Sequence, residues 1–246
     1  MDNIALEVNN VHVKYKKNLD STIIKNKKNK WFEALKGVSF KVNKGEIYGI
    51  IGRNGSGKTT LLRTIAGIFA PNIGEVVVDK NKISLLSLGL GFNNDLSGRK
   101  NIYLTGLLTG FDFKYIAEKE EEIIDFSELN EFIDMPVKNY SSGMYSKLAF
   151  AIASVLNTDI LLIDEVFSVG DEYFKKKSYK KMMELISDKE KTVIMVSHSV
   201  ERLVHICNKI IWLDNGLVMD IDTPNVVIPK YLSFMNEEGK IVNEWS

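Results

Sequence analysis

Short apolar runs alternate with helical patterns along most of this chain. Residues 160–163 and 193–196 are apolar at every position, which predicts strands that are covered on both faces. We predict strands at 45–51, 83–88, 159–163, 192–197 and 210–213. With helical stretches between them, these strands indicate an α/β fold with a central, mainly parallel sheet.

Two regions depart from this pattern. Residues 4–15 and 37–42 alternate apolar with polar side chains, which predicts an antiparallel N-terminal β subdomain with one solvated face. Residues 93–157 have mostly helical patterns and predict a helical subdomain. Because no repeat or proline-rich linker divides the chain, we expect one domain over residues 1–246, with a short tail at 222–246.

The composition excludes several classes of protein. Apolar residues make up 45% and charged residues 26%, as in ordinary globular domains. No apolar run approaches the roughly 18 residues that a membrane span needs, and no leader pattern opens the chain, so we expect a cytoplasmic location. The single cysteine, Cys207, predicts a buried thiol rather than a disulfide or a metal ligand.

The charge balances overall but is unevenly distributed. With 32 basic and 32 acidic side chains, the chain is not expected to bind nucleic acid through phosphate neutralisation. The basic loop, residues 16–30, has six lysines and one acid, whereas the acidic segment, residues 118–134, has eight acids and one lysine. Each is either a plain solvated surface or a contact surface for a partner.

Residues 52–60, here called the phosphate loop, form the strongest chemical signal. They read Gly-Arg-Asn-Gly-Ser-Gly-Lys-Thr-Thr and lie between a predicted strand and a predicted helix. Such a loop wraps its backbone N–H groups around a polyphosphate, while Lys58 reaches the β and γ phosphates and Thr59 ligates Mg²⁺. The expected nucleotide-binding residues are Gly52, Asn54, Gly55, Ser56, Gly57, Lys58, Thr59 and Thr60.

Further candidates follow two of the predicted strands. Asp164 ends the apolar run at 160–163 and is expected to hold the metal ion, and Glu165 follows it in a position to polarise the attacking water. His198 follows the strand at 192–197, at the sheet edge where ligands of such folds bind. We therefore expect His198 to contact the γ phosphate, although an isolated histidine is more often structural.

A second motif identifies the family that the chain resembles. Residues 140–144, here called the signature segment, read Tyr-Ser-Ser-Gly-Met and begin a helical run, with Ser141 lying 23 residues before Asp164. This resembles the L-S-G-G-Q signature of ABC-type ATPases. A serine at this position also caps its own helix.

The resemblance implies a P-loop NTPase fold of the ABC type and a set of roles. Ser141, Ser142 and Gly143 would bind the γ phosphate of an ATP held by the other subunit, Asp171 matches the D-loop aspartate, and Tyr15 matches the aromatic residue that stacks on adenine. The implied state is a head-to-tail homodimer with two ATP molecules and Mg²⁺ at its interface.

Within that family the chain is similar to the polysaccharide export branch. The similarity rests on the signature segment and on the sequences at 88–93, 96–103 and 164–171. It implies a peripheral ATP-hydrolysing subunit on the cytoplasmic face of a bacterial membrane. Such a subunit would bind a dimer of polytopic permease subunits, through residues 93–129, and drive export of a lipid-linked glycan such as O-antigen, capsule or teichoic acid.

The basic loop is similar to an insertion found in that branch. Its lysines are expected to face lipid head groups or pyrophosphate.

The sequence also departs from the wider family. It has no glutamine, so Asn93 or Asn94 is the nearest amide to the position of the usual sensor glutamine. Ser142 and Met144 replace a glycine and the glutamine of the common signature, as they do in the export branch. The alternatives are an ABC transporter subunit for a lipid, peptide or drug, an ABC ATPase acting on DNA or ribosomes, and an ATP-sensing module, which Glu165 makes less favoured.

Overall fold

The computed structural model describes residues 3–16, 31–78, 83–86, 91–164, 170–197 and 199–243, and the side chains of the last helix as far as residue 236. The basic loop beyond Lys16, Glu165 and His198 lie outside the described residues. Two compact units are present, the first formed by residues 1–79 with 194–246 and the second by residues 80–193.

The strands are, in chain order, β1 (Ile4–Lys16), β2 (Trp31–Asn43), β3 (Ile47–Ile51), β4 (Ile73–Val78), β5 (Ile83–Leu86), β6 (Ile160–Asp164), β7 (Thr192–Val196), β8 (Lys209–Asp214) and β9 (Leu217–Asp222). The helices are α1 (Lys58–Ile65), α2 (Gly98–Leu108), α3 (Phe113–Ser127), α4 (Ser142–Val155), α5 (Glu172–Ser187), α6 (Val200–Ile206) and α7 (Pro224–Asn243). Short 3₁₀ turns lie at Asn130–Phe132 and Val137–Asn139.

The first unit contains an antiparallel sheet and a mainly parallel one. In the antiparallel sheet β1 lies between β2 and β4, and its inward side chains, such as Leu6, Val8 and Val11, are buried. In the other sheet β3 pairs in parallel with β8, and β9 pairs antiparallel with β8 at the edge. The two predicted kinds of sheet are therefore both present, as the α/β class with an antiparallel N-terminal part requires.

The second unit is mainly helical. Its parallel pair β5–β6 is accompanied by α2, α3, α4 and α5, and α2, α3 and α4 share one apolar core. That core includes Ile102, Ile116, Ile123, Leu148 and Ile152, each at most 1% exposed. The helical pattern predicted from residue 93 onward thus corresponds to three helices packed around a common interior. No helix among the described residues is long and apolar enough to cross a membrane.

Two strands and one helix were not predicted from the sequence. β4 contains Gly74 and has half-exposed or exposed side chains throughout, so its apolar pattern is weak. β9 is an edge strand of alternating exposure, and α7 occupies the predicted tail although Pro229 lies inside it.

Candidate functional site

The phosphate loop connects the buried end of β3 to the start of α1. Close packing explains two of its glycines. A Cβ atom on Gly52, where φ is +151°, would lie 2.1 Å from the carbonyl oxygen of Leu213. A Cβ atom on Gly57, where φ is +107°, would lie 2.7 Å from the carbonyl oxygen of Ala34. The loop conformation therefore requires glycine at both positions.

Lys58 holds the loop from inside. The side chain is buried, and its Nζ atom donates hydrogen bonds to the carbonyl oxygens of Gly52 at 2.7 Å and Arg53 at 2.9 Å. The ammonium group thus donates to two carbonyl oxygens, and the same donors are suited to phosphate oxygens. Binding of a polyphosphate would exchange one set of oxygen acceptors for another without moving the charge into an apolar environment.

An unsatisfied polar atom in the same loop fits a phosphate ligand. Ser56 Oγ is buried and has no hydrogen-bond partner among the described residues. Burying a hydroxyl group costs free energy unless a ligand or a water molecule supplies a hydrogen-bond partner. Helix α1 begins directly afterwards, and Gly57 at its N-cap has no side chain with which to cap it. The donors at the start of α1 and the Ser56 hydroxyl together suit a nucleotide phosphate.

Tyr15 lies beside the same helix. Its hydroxyl group donates a hydrogen bond of 3.2 Å to Thr60 Oγ1, and its ring meets Phe69 edge-on with the centroids 5.6 Å apart. The first unit therefore brings Tyr15 and the phosphate loop together, while Asn54, Gly55 and Thr59 are exposed on the loop. Stacking of Tyr15 on adenine remains a prediction.

The signature segment opens α4 in the second unit. Ser141 is the N-cap residue, and its Oγ atom accepts a hydrogen bond of 3.2 Å from the backbone N–H of Met144. Ser141 and Ser142 are exposed, and the nearest atom to a Cβ built on Gly143 is Ser141 Oγ at 3.8 Å. The start of α4 is thus open to a ligand, as an anion site at a helix N-terminus must be.

A cavity of about 340 Å³ adjoins this helix start. It is lined by Glu128, Leu129, Phe132, Ser141, Gly143, Met144, Lys147, Gly170 and Asp171. The lining includes apolar side chains, among them Leu129, Phe132 and Met144, and the charged side chains of Glu128, Lys147 and Asp171.

The charged residues of this lining form an ion network centred on Lys147. Lys147 Nζ lies 2.8 Å from Asp171 Oδ2 and 2.9 Å from Glu128 Oε2, and its side chain is 15% exposed. Glu128 also accepts a hydrogen bond of 3.1 Å from Lys177. Asp171 is the N-cap of α5 and accepts from the backbone N–H of Phe174 at 2.9 Å. The network thereby ties the signature helix to the segment that contains the predicted D-loop aspartate.

These contacts change the protonation behaviour of the three groups. The hydrogen bond from Lys147, helped by the Phe174 N–H, lowers the pKa of Asp171 to about 2. Burial opposes ionisation of Glu128, but hydrogen bonds from Lys147 and Lys177 lower its pKa overall. Burial likewise opposes the charge of Lys147, and its hydrogen bonds to Asp171 and Glu128 raise its pKa overall. All three groups are therefore charged at neutral pH.

Lys147 and Glu128 were not predicted from the sequence. The only signal in the sequence was the density of acids at 118–134, which does not distinguish Glu128 from its seven acidic neighbours. Glu128 differs because it is the C-cap residue of α3, where a left-handed conformation with φ at +59° stops the helix, and because it pairs with both Lys147 and Lys177.

Two further candidates, Asp164 and Asn93, lie in the part of the chain that the structure describes. Asp164 is the last residue of β6 and is half-buried, as expected for a side chain at the end of a covered strand. Asn93 Oδ1 accepts a hydrogen bond of 3.0 Å from the backbone N–H of Asp95, so this amide is engaged in its own turn. The buried Asn101 fixes that turn through its side chain. The roles of Glu165 and His198 stay predictions.

Comparison with known proteins agrees with these features. The ABC transporter family matches residues 35–168, more than half of the chain. The O-antigen export system ATP-binding protein RfbB of Myxococcus xanthus is 46% identical over 198 residues, which are 80% of this chain and 45% of that protein. The teichoic acids export ATP-binding protein TagH of Lactococcus lactis is 44% identical over 219 residues, 89% of this chain and 46% of that protein. The chain therefore spans less than half the length of these two relatives.

Solved structures share the fold. A dimeric post-hydrolysis state of the ATP-binding cassette MJ0796, bound to ADP and Pi, superposes with a TM-score of 0.68 at 23% identity and covers 89% of this chain and 98% of that one. The ATP-binding subunit of an ABC transporter superposes with a TM-score of 0.69 at 20% identity, covering 92% and 93% of the two chains. At sequence identities of 20–23%, this likeness shows that the chains share a fold and supports no conclusion about function.

Proposed function

The chain belongs to the ABC transporter family, and on that premise we propose that it is the ATP-hydrolysing subunit of an exporter for a lipid-linked polysaccharide. The observation that carries this proposal is its identity of 44–46%, over most of its length, to ATP-binding proteins named for O-antigen and teichoic acid export. Polysaccharide export is favoured over a lipid, peptide or drug cargo for the same reason.

ATP with Mg²⁺ is the proposed ligand of the phosphate loop. The orphaned Ser56 hydroxyl and the glycine-lined loop around Lys58 fit a triphosphate. Lys58 would bind the phosphates, and Thr59 and Asp164 would hold the metal ion. Bound Mg²⁺ would offset the charge that develops on the phosphate oxygens. Glu165 would polarise the attacking water and His198 would contact the γ phosphate.

A homodimer is the proposed active state. Each chain has one phosphate loop and one signature segment. The two would act on the same ATP only when they come from different subunits, as they do in a head-to-tail pair. Ser141, Ser142 and Gly143 would then face the nucleotide held by the other chain. The exposure of Ser141 and Ser142 at the start of α4 supports this arrangement.

A dimer of polytopic permease subunits is the proposed membrane partner, with this chain on the cytoplasmic face of a bacterial membrane. Helices α2 and α3 expose three large apolar side chains, Leu107, Leu108 and Phe113, which are 51%, 69% and 63% exposed. Exposed apolar side chains close together on a surface are typical of a contact with another protein. They lie in residues 93–129, which the resemblance assigns to the permease contact.

Two linked measurements test the proposed function. Co-expression with candidate polytopic permease subunits should give a stable complex, and its ATPase rate in lipid vesicles should rise when lipid-linked glycan is added. A complex that responds instead to a peptide or drug would support the alternative cargo. An ATPase that forms no complex with a membrane protein would favour a role outside transport.

A further inference from the structure

Arg53, the second residue of the phosphate loop, connects the loop to the end of β8. Its carbonyl oxygen accepts the hydrogen bond from Lys58 at 2.9 Å. Its guanidinium group pairs with Asp214, with Nε to Oδ1 at 2.9 Å and Nη2 to Oδ2 at 3.2 Å. Such a two-point pair fixes orientation as well as distance.

Asp214 is itself rigidly placed. It ends β8, and its side chain is 10% exposed and accepts a further hydrogen bond of 2.7 Å from Asn215 Nδ2. Asn215 and Gly216 both have positive φ, at 48° and 81°, which gives the tight turn that joins β8 to β9. The backbone N–H of Gly216 donates to the Ser56 carbonyl oxygen at 3.0 Å. The turn therefore holds the phosphate loop at two points.

Helix α7 contacts the same guanidinium group. The Phe234 ring centroid lies 5.4 Å from Arg53 Cζ, within the range of a cation–π interaction. Phe234 and Tyr231 pack edge-on against Trp212, with centroid distances of 5.2 and 5.8 Å. One face of α7 is thus attached to β8 and, through Phe234, to a residue of the phosphate loop.

We infer that Arg53 is a positioning residue of the nucleotide site and that it couples the packing of α7 to nucleotide affinity. This inference rests on the proposed binding of ATP at the phosphate loop. Lys58 donates to the Arg53 carbonyl oxygen inside the loop, and the pair with Asp214 would keep the loop in place if that bond were exchanged for one to a phosphate oxygen. A loop held in its binding conformation loses less entropy when ligand binds. Coupling of this kind is reciprocal, so bound nucleotide also stabilises α7.

The test compares three variants by fluorescence titration with the ATP analogue MANT-ATP and Mg²⁺. R53M removes the pair with Asp214, and its Kd should rise roughly 3- to 10-fold. F234L keeps that pair and removes only the ring, and its Kd should rise roughly 2- to 3-fold. K230M is the matched control, because Lys230 forms a solvent-exposed pair with Asp220 of β9 at 2.6 Å and takes no part in the packing of Phe234 and Tyr231. Exposed pairs contribute little to the attachment of a helix, so its Kd should match the wild type.

Hydrogen exchange measures the reciprocal effect, which a purely structural role would not produce. In the wild type, saturating MANT-ATP should slow amide exchange at residues 231–236, and the effect should be lost in R53M. Unchanged Kd values in R53M and F234L, or an equal rise in K230M, would overturn the inference while leaving the nucleotide site intact. Failure of the wild type to bind MANT-ATP would overturn the proposed site, and the inference with it.

Discussion

Lys147 Nζ lies 2.8 Å from Asp171 Oδ2, and this contact joins the helix that begins in the signature segment to the cap of α5. The same ammonium group lies 2.9 Å from Glu128 Oε2, so one cation is shared by carboxylates of two other segments. Lys147 is five residues beyond the first residue of α4. We therefore expect the pairs of Lys147 to fix the orientation of α4, and with it the serines and glycine that are proposed to bind phosphate.

Replacing Lys147 by Met should lower ATPase turnover at least about tenfold without weakening nucleotide binding to the phosphate loop. The variant leaves Asp171 and Glu128 without their shared cation, and we expect a loss of about 1–2 kcal/mol in the free energy of unfolding. Turnover, the Kd for MANT-ATP and urea unfolding are the measurements.

K175M is the control for that variant. Lys175 forms an exposed i,i+3 pair with Glu172 on α5 at 2.7 Å, and its removal should change stability by less than about 0.5 kcal/mol. Wild-type turnover in K147M would contradict the positioning role of the network.

The low pKa of Asp171 predicts a pH-dependent contribution to stability. The folded state lowers this pKa from 3.8 to about 2, so the carboxylate stabilises the fold fully above the unfolded-state pKa. The contribution is lost as the pH falls from 3.8 towards 2. D171N keeps a helix-capping side chain but has no charge to titrate.

Thermal unfolding of the wild type and D171N between roughly pH 6 and pH 2.5 measures this effect. The wild type should have the higher Tm at pH 6, and the difference should shrink below about pH 4. A difference in Tm that stays constant over this range would contradict the Lys147–Asp171 pair.

Gly52 and Gly67 offer a matched pair of glycine replacements. A Cβ atom on Gly52 would collide with the Leu213 carbonyl oxygen, whereas one on Gly67, where φ is +73°, has no atom within 4 Å. The free energy of unfolding of G67A should therefore fall by only the roughly 1–2 kcal/mol that a left-handed conformation costs an alanine. The free energy of unfolding of G52A should fall further, and the variant should not bind MANT-ATP, because its loop must move away from β8. Equal unfolding free energies in urea would show that the loop is not packed as described.

Cys207 should be unreactive in the folded protein. Its side chain is buried, as the sequence predicted, and burial raises the pKa of the thiol to about 12. Thiolate is the reactive form, so DTNB at pH 8 should label the folded chain far more slowly than the chain in guanidinium chloride. Rapid labelling of the folded chain would contradict burial beside β3 and α6.

The parts of the site that could be predicted from the sequence are those formed by neighbouring residues. The phosphate loop and the Ser141 cap depend on a few consecutive positions and on the strand or helix beside them. Local sequence chemistry determines both, because glycine permits the loop and serine caps the helix.

The rest depends on contacts between distant parts of the chain. Lys147 meets Glu128 across 19 residues, and Arg53 meets Asp214 across 161. Pro229 suggests a break in the tail, since proline costs about 3 kcal/mol inside a helix. Helix α7 nevertheless includes Pro229, with Tyr231 and Phe234 packed on Trp212. Neither kind of contact is visible from local pattern alone.

Hydrolysis by mixed variants tests most directly whether two chains share each ATP. K58A disables the phosphate loop, and G143D places a carboxylate at the open start of α4. Each variant alone should lack turnover. In an equal mixture with random pairing, half of the dimers contain one chain of each variant, and each of these has one intact site of two. The mixture should therefore recover about a quarter of the wild-type rate. No recovery in the mixture of two folded variants would contradict a site formed by the phosphate loop of one chain and the signature segment of another.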